Sequence, residues 1–201
     1  MKISIVDYGA GNLPSVERAL GVLGAETERA ADPQQIAAAK ILVLPGVGHF
    51  SAFVAGLRDR NLTSAIRQAF VFGVPVLGIC LGLQAMFDSS EEAPNEPGLG
   101  FLAGEVRSLP REVKSPHIGW NQVVRAKPGK LLCGIPENAH FYFAHSFAVP
   151  AAPEHTSATC EHGFRFAAVV EFKNLFAVQF HPEKSGAAGS RVLENFLLAV
   201  R

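Results

Sequence analysis

Cysteine is scarce in this sequence and unpaired by pattern: three residues, Cys80, Cys133 and Cys160, with no C-x-x-C spacing among them. An odd, scattered set offers neither a disulfide framework nor a structural zinc site. A charge bias is also missing. Eighteen basic residues balance eighteen acidic ones, and no long run of one sign occurs, so neither nucleic acid nor an anionic membrane is an expected partner. Long hydrophobic runs are absent too, the apolar stretches breaking within about a dozen residues, short of the roughly 20 that a membrane span takes. The start, Met1 to Asp7, carries a Lys but no cleavage site and reads as a first strand, not a signal peptide. A cytoplasmic location is expected. No internal repeat, no low-complexity tract and no G-x-x-x-x-G-K phosphate loop is present.

What is there is a core. Residues 1–201 are 48% apolar, which suits a single domain spanning the whole chain. In the first half, short apolar runs alternate with helical patterns. Ile3–Val6, a weaker Ala25–Arg29, Ile41–Leu44 and Val74–Ile79 read as strands. Val16, Ala19, Leu20 and Leu23 fall on one helical face, as do Phe50, Phe53, Val54 and Leu57, and then Leu62, Ile66, Ala69 and Phe70. Alternation with near-continuous apolar strands predicts an α/β fold with an open, mostly parallel sheet flanked by helices. The second half is strand-rich, with runs at Glu105–Leu109, Ile118–Val124, Phe141–Phe143, Ala167–Phe172 and Leu175–Phe180. A closing helix presents Val192, Leu193, Phe196, Leu197 and Val200, and Glu91–Gly100 reads as an exposed loop.

Three segments carry chemistry. Gly78-Ile79-Cys80-Leu81-Gly82 follows a strand and leads into a short helical stretch, Leu83–Phe87. Flanking glycines permit the sharp turn of a nucleophile elbow, and the helix start beneath favours a thiolate. Alone, the pattern reads equally well as a small buried Cys in a Gly-rich turn. Gln179-Phe180-His181-Pro182-Glu183 then places an acid/base and a carboxylate to orient it at a strand end. The pair of motifs is far more specific than either one. Leu44-Pro45-Gly46-Val47-Gly48 ends a neighbouring strand, and its main-chain N–H groups, with that of Leu81, are candidate oxyanion donors. Read alone it is an ordinary Pro-Gly turn. Gly9-Ala10-Gly11-Asn12-Leu13-Pro14 falls short of a dinucleotide fingerprint because Pro14 stands in place of the third glycine. No cofactor and no metal is expected.

Pro75–Gln84 and Gln179–Glu183 resemble the two signatures of class I glutamine amidotransferases. Asp7–Leu13, His117-Ile118-Gly119-Trp120-Asn121, Tyr142–Ser146 and His181–Ser185 narrow the resemblance to the glutaminase subunits of imidazole glycerol phosphate synthases, almost end to end. The resemblance implies a flavodoxin-like fold and hydrolysis of glutamine to glutamate and ammonia by Cys80, His181 and Glu183. It implies glutamine binding by the main chain at Gly48, by Gln84 and by Ser146–Phe147. It also implies a heterodimer with a (β/α)₈-barrel cyclase that takes up the ammonia, with Asn12, Trp120 and Lys184 near that contact. His49 and Phe147 depart from the family pattern, where a small residue and often a Tyr stand. Two other classes use similar parts: a stand-alone cysteine hydrolase, which needs neither Gln84 nor the His-Pro-Glu order, and a silent binding module, which would be expected to lose a triad residue. The glutaminase subunit of another amidotransferase is a further alternative.

Overall fold

A computed structural model describes residues 1–201. The first half builds β1 (Lys2–Val6), α1 (Leu13–Val22), β2 (Glu26–Ala30), α2 (Pro33–Ala38), β3 (Leu42–Gly46), α3 (Phe50–Asp59), α4 (Leu62–Val71) and β4 (Val76–Cys80). A single helical turn, α5 (Leu81–Gln84), follows directly. The second half contributes β5 (Ser89–Ser90), β6 (Glu105–Ser108), β7 (His117–Gln122), β8 (Val124–Arg125), β9 (His140–His145), β10 (Phe147–Ala148), β11 (Thr156–Glu161), β12 (Arg165–Phe172) and β13 (Leu175–Val178). A 3₁₀ turn at Pro182–Lys184 and the helix α6 (Gly186–Ala199) complete the chain.

The main sheet has eight strands in the order β2-β1-β3-β4-β13-β12-β11-β8. Its first five are parallel, and β12, β11 and β8 extend it antiparallel. The fold is thus the open, mostly parallel α/β sheet the alternation predicts, with β8, β11, β12 and β13 of the strand-rich second half continuing the same sheet. Period-two alternation divides the core between its faces. Ile3, Ile5, Val43, Leu77 and Ile79 pack under α1 and α6 with Leu20, Val192 and Phe196. Leu42, Leu44 and Val76 face the other way, against Ile36 of α2, Phe53 and Leu57 of α3 and Ile66 of α4. Two small sheets, β10-β6-β5 and β7-β9, stand apart from the main one.

Some expectations shift. The helix after Cys80 spans Leu81–Gln84 instead of Leu83–Phe87, and one turn has too few aligned peptides for a large macrodipole. Glu91–Gly100 is irregular yet partly buried: Leu99 is in the core, and Arg67 donates from Nε and Nη2 to the carbonyls of Leu99 and Gly98. The helix α2 was not expected, although Asp32 before Pro33 is its cap, accepting from the N–H of Gln35 at 2.9 Å.

Candidate active site

Three adjacent parallel strands bring the chemistry to the carboxyl edge of the sheet, where open α/β folds bind ligands. Gly46 at the end of β3 lies opposite Cys80 at the end of β4, and Val178 at the end of β13 lies opposite Ile79. His181 follows three residues later. The turn at Cys80 is strained: its φ of 55° and ψ of −109° are unusual for a residue with a Cβ. Close packing demands the neighbouring glycines. A Cβ on Gly82 would overlap the Leu44 carbonyl, and one on Gly78 would sit 2.5 Å from Met86 Cε. The backbone of β4 and the following turn therefore has no room to relax, which is how a side chain is held up at a strand end.

His181 is buried, and its Nδ1 lies 2.9 Å from Glu183 Oε1. Its main chain is fixed on both sides, since its N–H donates to the Tyr142 carbonyl at 2.9 Å and its carbonyl accepts from Ser185 Oγ at 2.7 Å. Burial alone would disfavour an imidazolium. Interaction with Cys80 and the hydrogen bond to Glu183, with the negative charge both can carry, outweigh it and push His181 up to about 10. Glu183 Oε2 is buried without a partner, so His181 is the only group this carboxylate side chain serves.

The cavity beside Cys80 has a volume of about 270 Å³ and reaches His181, Leu81 and Gln84. Val47, Gly48, Ser146, Phe147 and Lys184 also line it. Of the expected triad and substrate residues only two do not line it: Glu183, which is joined to it through His181, and Gly46, which pairs with Cys80 at the end of β3. Leu81 opens a helical turn, so its N–H has no intrahelical acceptor. Val47 is different: its N–H donates to the hydroxyl oxygen of buried Tyr8 at 3.3 Å. The expected oxyanion donor at Val47 is engaged elsewhere in this conformation. Gly48, at φ +94°, sits in the left-handed region that makes a reorientation of this loop cheap for glycine.

The expected interface residues divide. Trp120 on β7 is exposed and meets Tyr142 edge-on at 6.2 Å, and Lys184 Nζ lies 5.9 Å from the same Tyr142 ring. Asn12 lies at the start of α1, where its Oδ1 accepts from Ser15 Oγ at 2.9 Å. His49 has a structural task, its Nδ1 accepting from the Ser51 N–H at 3.2 Å to cap α3.

Four residues at the site had been given no role from the sequence, although Tyr8, His145 and Gln179 lie inside its motifs and only Glu92 lies outside them. Glu92 reaches the cavity from the Glu91–Gly100 segment while its Oε2 accepts from the Phe50 N–H at 2.8 Å. Gln179 and Gln84 form a buried pair, with Gln84 Nε2 at 3.2 Å from Gln179 Oε1 and at 2.7 Å from the Phe147 carbonyl. Both N–H groups of Gln84 are spent, so it meets a ligand only through its acceptor oxygen. His145 donates to the same Phe147 carbonyl, and burial beside His117 pushes it down to about 3. Of the other cysteines, Cys160 is buried, its thiol pushed up to about 12 by burial, and Cys133 is exposed far from the cavity.

Comparison with known proteins agrees with this geometry. Residues 4–200 match the family model described as glutamine amidotransferase class-I. Among curated relatives, "Imidazole glycerol phosphate synthase subunit HisH" of Moorella thermoacetica is 50% identical over 200 residues, covering 99% of this chain and 95% of the relative. The protein of the same name from Dehalococcoides mccartyi, strain CBDB1, is 46% identical, covering 96% and 95% respectively. Among solved structures, a chain titled "Crystal structure of glutamine amidotransferase" superposes with a TM-score of 0.78 at 19% identity, covering 98% of each chain. A chain of the PurLQS structure from Thermotoga maritima gives 0.77 at 18% identity, covering 100% of this chain and 99% of that one. At such identities the structural likeness speaks for the fold.

Proposed function

This chain belongs to the class I glutamine amidotransferases, and we propose that Cys80, His181 and Glu183 are the triad by which it releases ammonia from glutamine. It is the glutaminase subunit of an imidazole glycerol phosphate synthase. The observation that carries the triad is one buried histidine, hydrogen-bonded to a carboxylate and sharing one cavity with a sulfur that stands on a strained turn. In acylation the Cys80 sulfur attacks the side-chain amide carbon of glutamine. As the C–N bond breaks, His181 gives its proton to the departing nitrogen. Consuming the thiolate removes one of the charges that hold that proton, so His181 becomes a stronger acid at the moment an acid is needed. Water then gives a proton to His181 and attacks the thioester, and glutamate leaves. Opposite charges at the cavity, Glu92 and Lys184, with the acceptor oxygen of Gln84, suit a zwitterionic amino acid.

The partner reading is a (β/α)₈-barrel cyclase seated over the carboxyl edge, touching Trp120, Lys184 and the Asn12 loop, and taking up ammonia to make imidazole glycerol phosphate and an aminoimidazole carboxamide ribonucleotide in histidine biosynthesis. Exposed Trp120 beside Tyr142 supports a protein contact there. Charge balance argues against nucleic acid, and no helix is long and apolar enough to cross a membrane. A cytoplasmic heterodimer fits both. The test is nitrogen source: the cyclase supplied with ammonium salt is expected to work without this chain, and with glutamine to require it. Glutamine-dependent product from the cyclase alone would contradict the assignment.

A further inference from the structure

We propose that Gln179 is a catalytic residue, its side-chain amide donating a hydrogen bond to the Cys80 sulfur in a buried network oriented from the main chain. The proposal rests on the reading of Cys80 as nucleophile. Gln179 directly follows β13 and is wholly buried. A carboxamide in that position is costly unless bonded. Its Nε2 lies 3.6 Å from Cys80 Sγ, within reach for an N–H donor to sulfur, and its Oε1 accepts from Gln84.

An amide can be turned end for end, and here the neighbours decide which way it faces. A carbonyl only accepts, so the nitrogen of Gln84 must face Phe147 O. The second hydrogen of that nitrogen points to Gln179, which must therefore present its oxygen. The nitrogen of Gln179 is left facing the sulfur.

The Phe147 carbonyl is itself pinned by a chain with one direction throughout. It accepts from His145 Nδ1 at 2.9 Å, so neutral His145 offers a lone pair at Nε2, which takes the hydrogen of His117 Nδ1 at 3.0 Å. His117 Nε2 in turn accepts from Asn121 Nδ2 at 3.2 Å. Asn121 is oriented by the Glu161 carbonyl, to which it donates, and by the Gln122 N–H, from which it accepts. Burial keeps both histidines neutral, holding His117 near 4 and His145 near 3.

The donor matters when the sulfur is charged, which happens twice. Before acylation it steadies the thiolate opposite His181. In deacylation the water oxygen bonds to the thioester carbon, a water proton passes to His181, the C–S bond breaks and its electron pair returns to Sγ. A thioester sulfur is neutral and a poor acceptor, so the bond strengthens as the charge comes back. A merely space-filling Gln179 would show no such dependence on charge.

The experiment is alkylation of Cys80 by iodoacetamide in the full-length chain, followed by peptide mass spectrometry across pH for wild type, Gln179→Met and Gln179→Glu, with thermal unfolding of each. Losing a donor to a charged acceptor is expected to move the midpoint of the alkylation profile up by about one pH unit in Gln179→Met. Gln179→Glu is expected to move it further, since a carboxylate would face the sulfur, and rates should converge at high pH. If Gln179→Met does not fold, the near-isosteric Gln179→Glu carries the comparison. An unchanged midpoint, with or without a uniform fall in rate, would overturn the proposal. A wild-type Cys80 that stays unmodified while Cys133 reacts would overturn the nucleophile reading and this proposal with it.

Discussion

Two cavities lie at opposite ends of the central strands, and the larger one holds none of the chemistry. Near the amino ends of β1 and β3, a space of about 620 Å³ is walled by Lys2, Ser4, Glu28 and Ile41 among others. Three of its polar groups satisfy one another, with Lys2 Nζ 2.7 Å and Ser4 Oγ 3.0 Å from Glu28. At the carboxyl edge a space of about 270 Å³ holds the strained Cys80, a histidine pushed far above its usual range and a loop with a diverted N–H. Strain and a displaced proton affinity mark a site better than volume does, because the first costs stability that a merely structural region would have shed and the second records charges gathered at one place.

The contrast breaks if the carboxyl edge can be altered without harm. Glu183→Gln leaves the shape of the triad but not its charge, and is expected to cut glutamine turnover by about 10²–10⁴ when assayed in the assembled synthase. The same change is expected to lower the His181 titration seen by NMR. A raised folded-state value means that His181 contributes stability fully below about pH 6.5 and loses that contribution as pH rises through about 10. Unfolding midpoints measured from pH 7 to 10 should therefore fall less steeply in Glu183→Gln than in wild type.

The oxyanion loop sharpens the contrast next. With Val47 N–H held by Tyr8, the proposed oxyanion hole lacks one donor, a loss that typically costs about 10²–10³ in rate. The isolated chain is expected to be a poor glutaminase, and the cyclase with its nucleotide to raise turnover by about that factor. Gly48→Val, forced to φ +94°, should damage the activated rate more than the basal one. Tyr8→Phe removes the acceptor and is expected to raise the basal rate several-fold, roughly the worth of one neutral hydrogen bond. A basal rate unchanged in Tyr8→Phe would show that this bond does not restrain the loop.

A smaller effect concerns acid. His117 and His145 are depressed by burial, so the unfolded chain binds those protons more readily than the folded one. Their contribution is present above about pH 6.5 and drains away as pH falls towards 4. The thermal midpoint is expected to drop from pH 7 to 5, and less so in His145→Gln. The smallest effect belongs to the other cavity. Lys2→Ala breaks an exposed pair and should leave both turnover and the unfolding midpoint near wild type.

Legibility in the sequence followed the same division. β3 and β4 are buried end to end and read as apolar runs, and the elbow and His-Pro-Glu motifs lie in short contiguous segments. β11 escaped notice because Thr156, Ser157 and Cys160 are buried without being strongly apolar. α2 escaped because its six residues bury only Ile36, too short a stretch for a helical period to show. The contacts of Tyr8 with Val47 and of Gln179 with Cys80 join residues 39 and 99 positions apart. No local pattern announces a pairing that only the sheet topology creates.

The most direct measurement is glutamate release from glutamine by Cys80→Ala and Cys133→Ala chains, each assembled with the cyclase and its nucleotide ligand. No replacement without a thiolate can form the thioester, so Cys80→Ala is expected to show no turnover above background, while Cys133→Ala matches wild type. Glutamate release by Cys80→Ala at a wild-type rate would contradict the account.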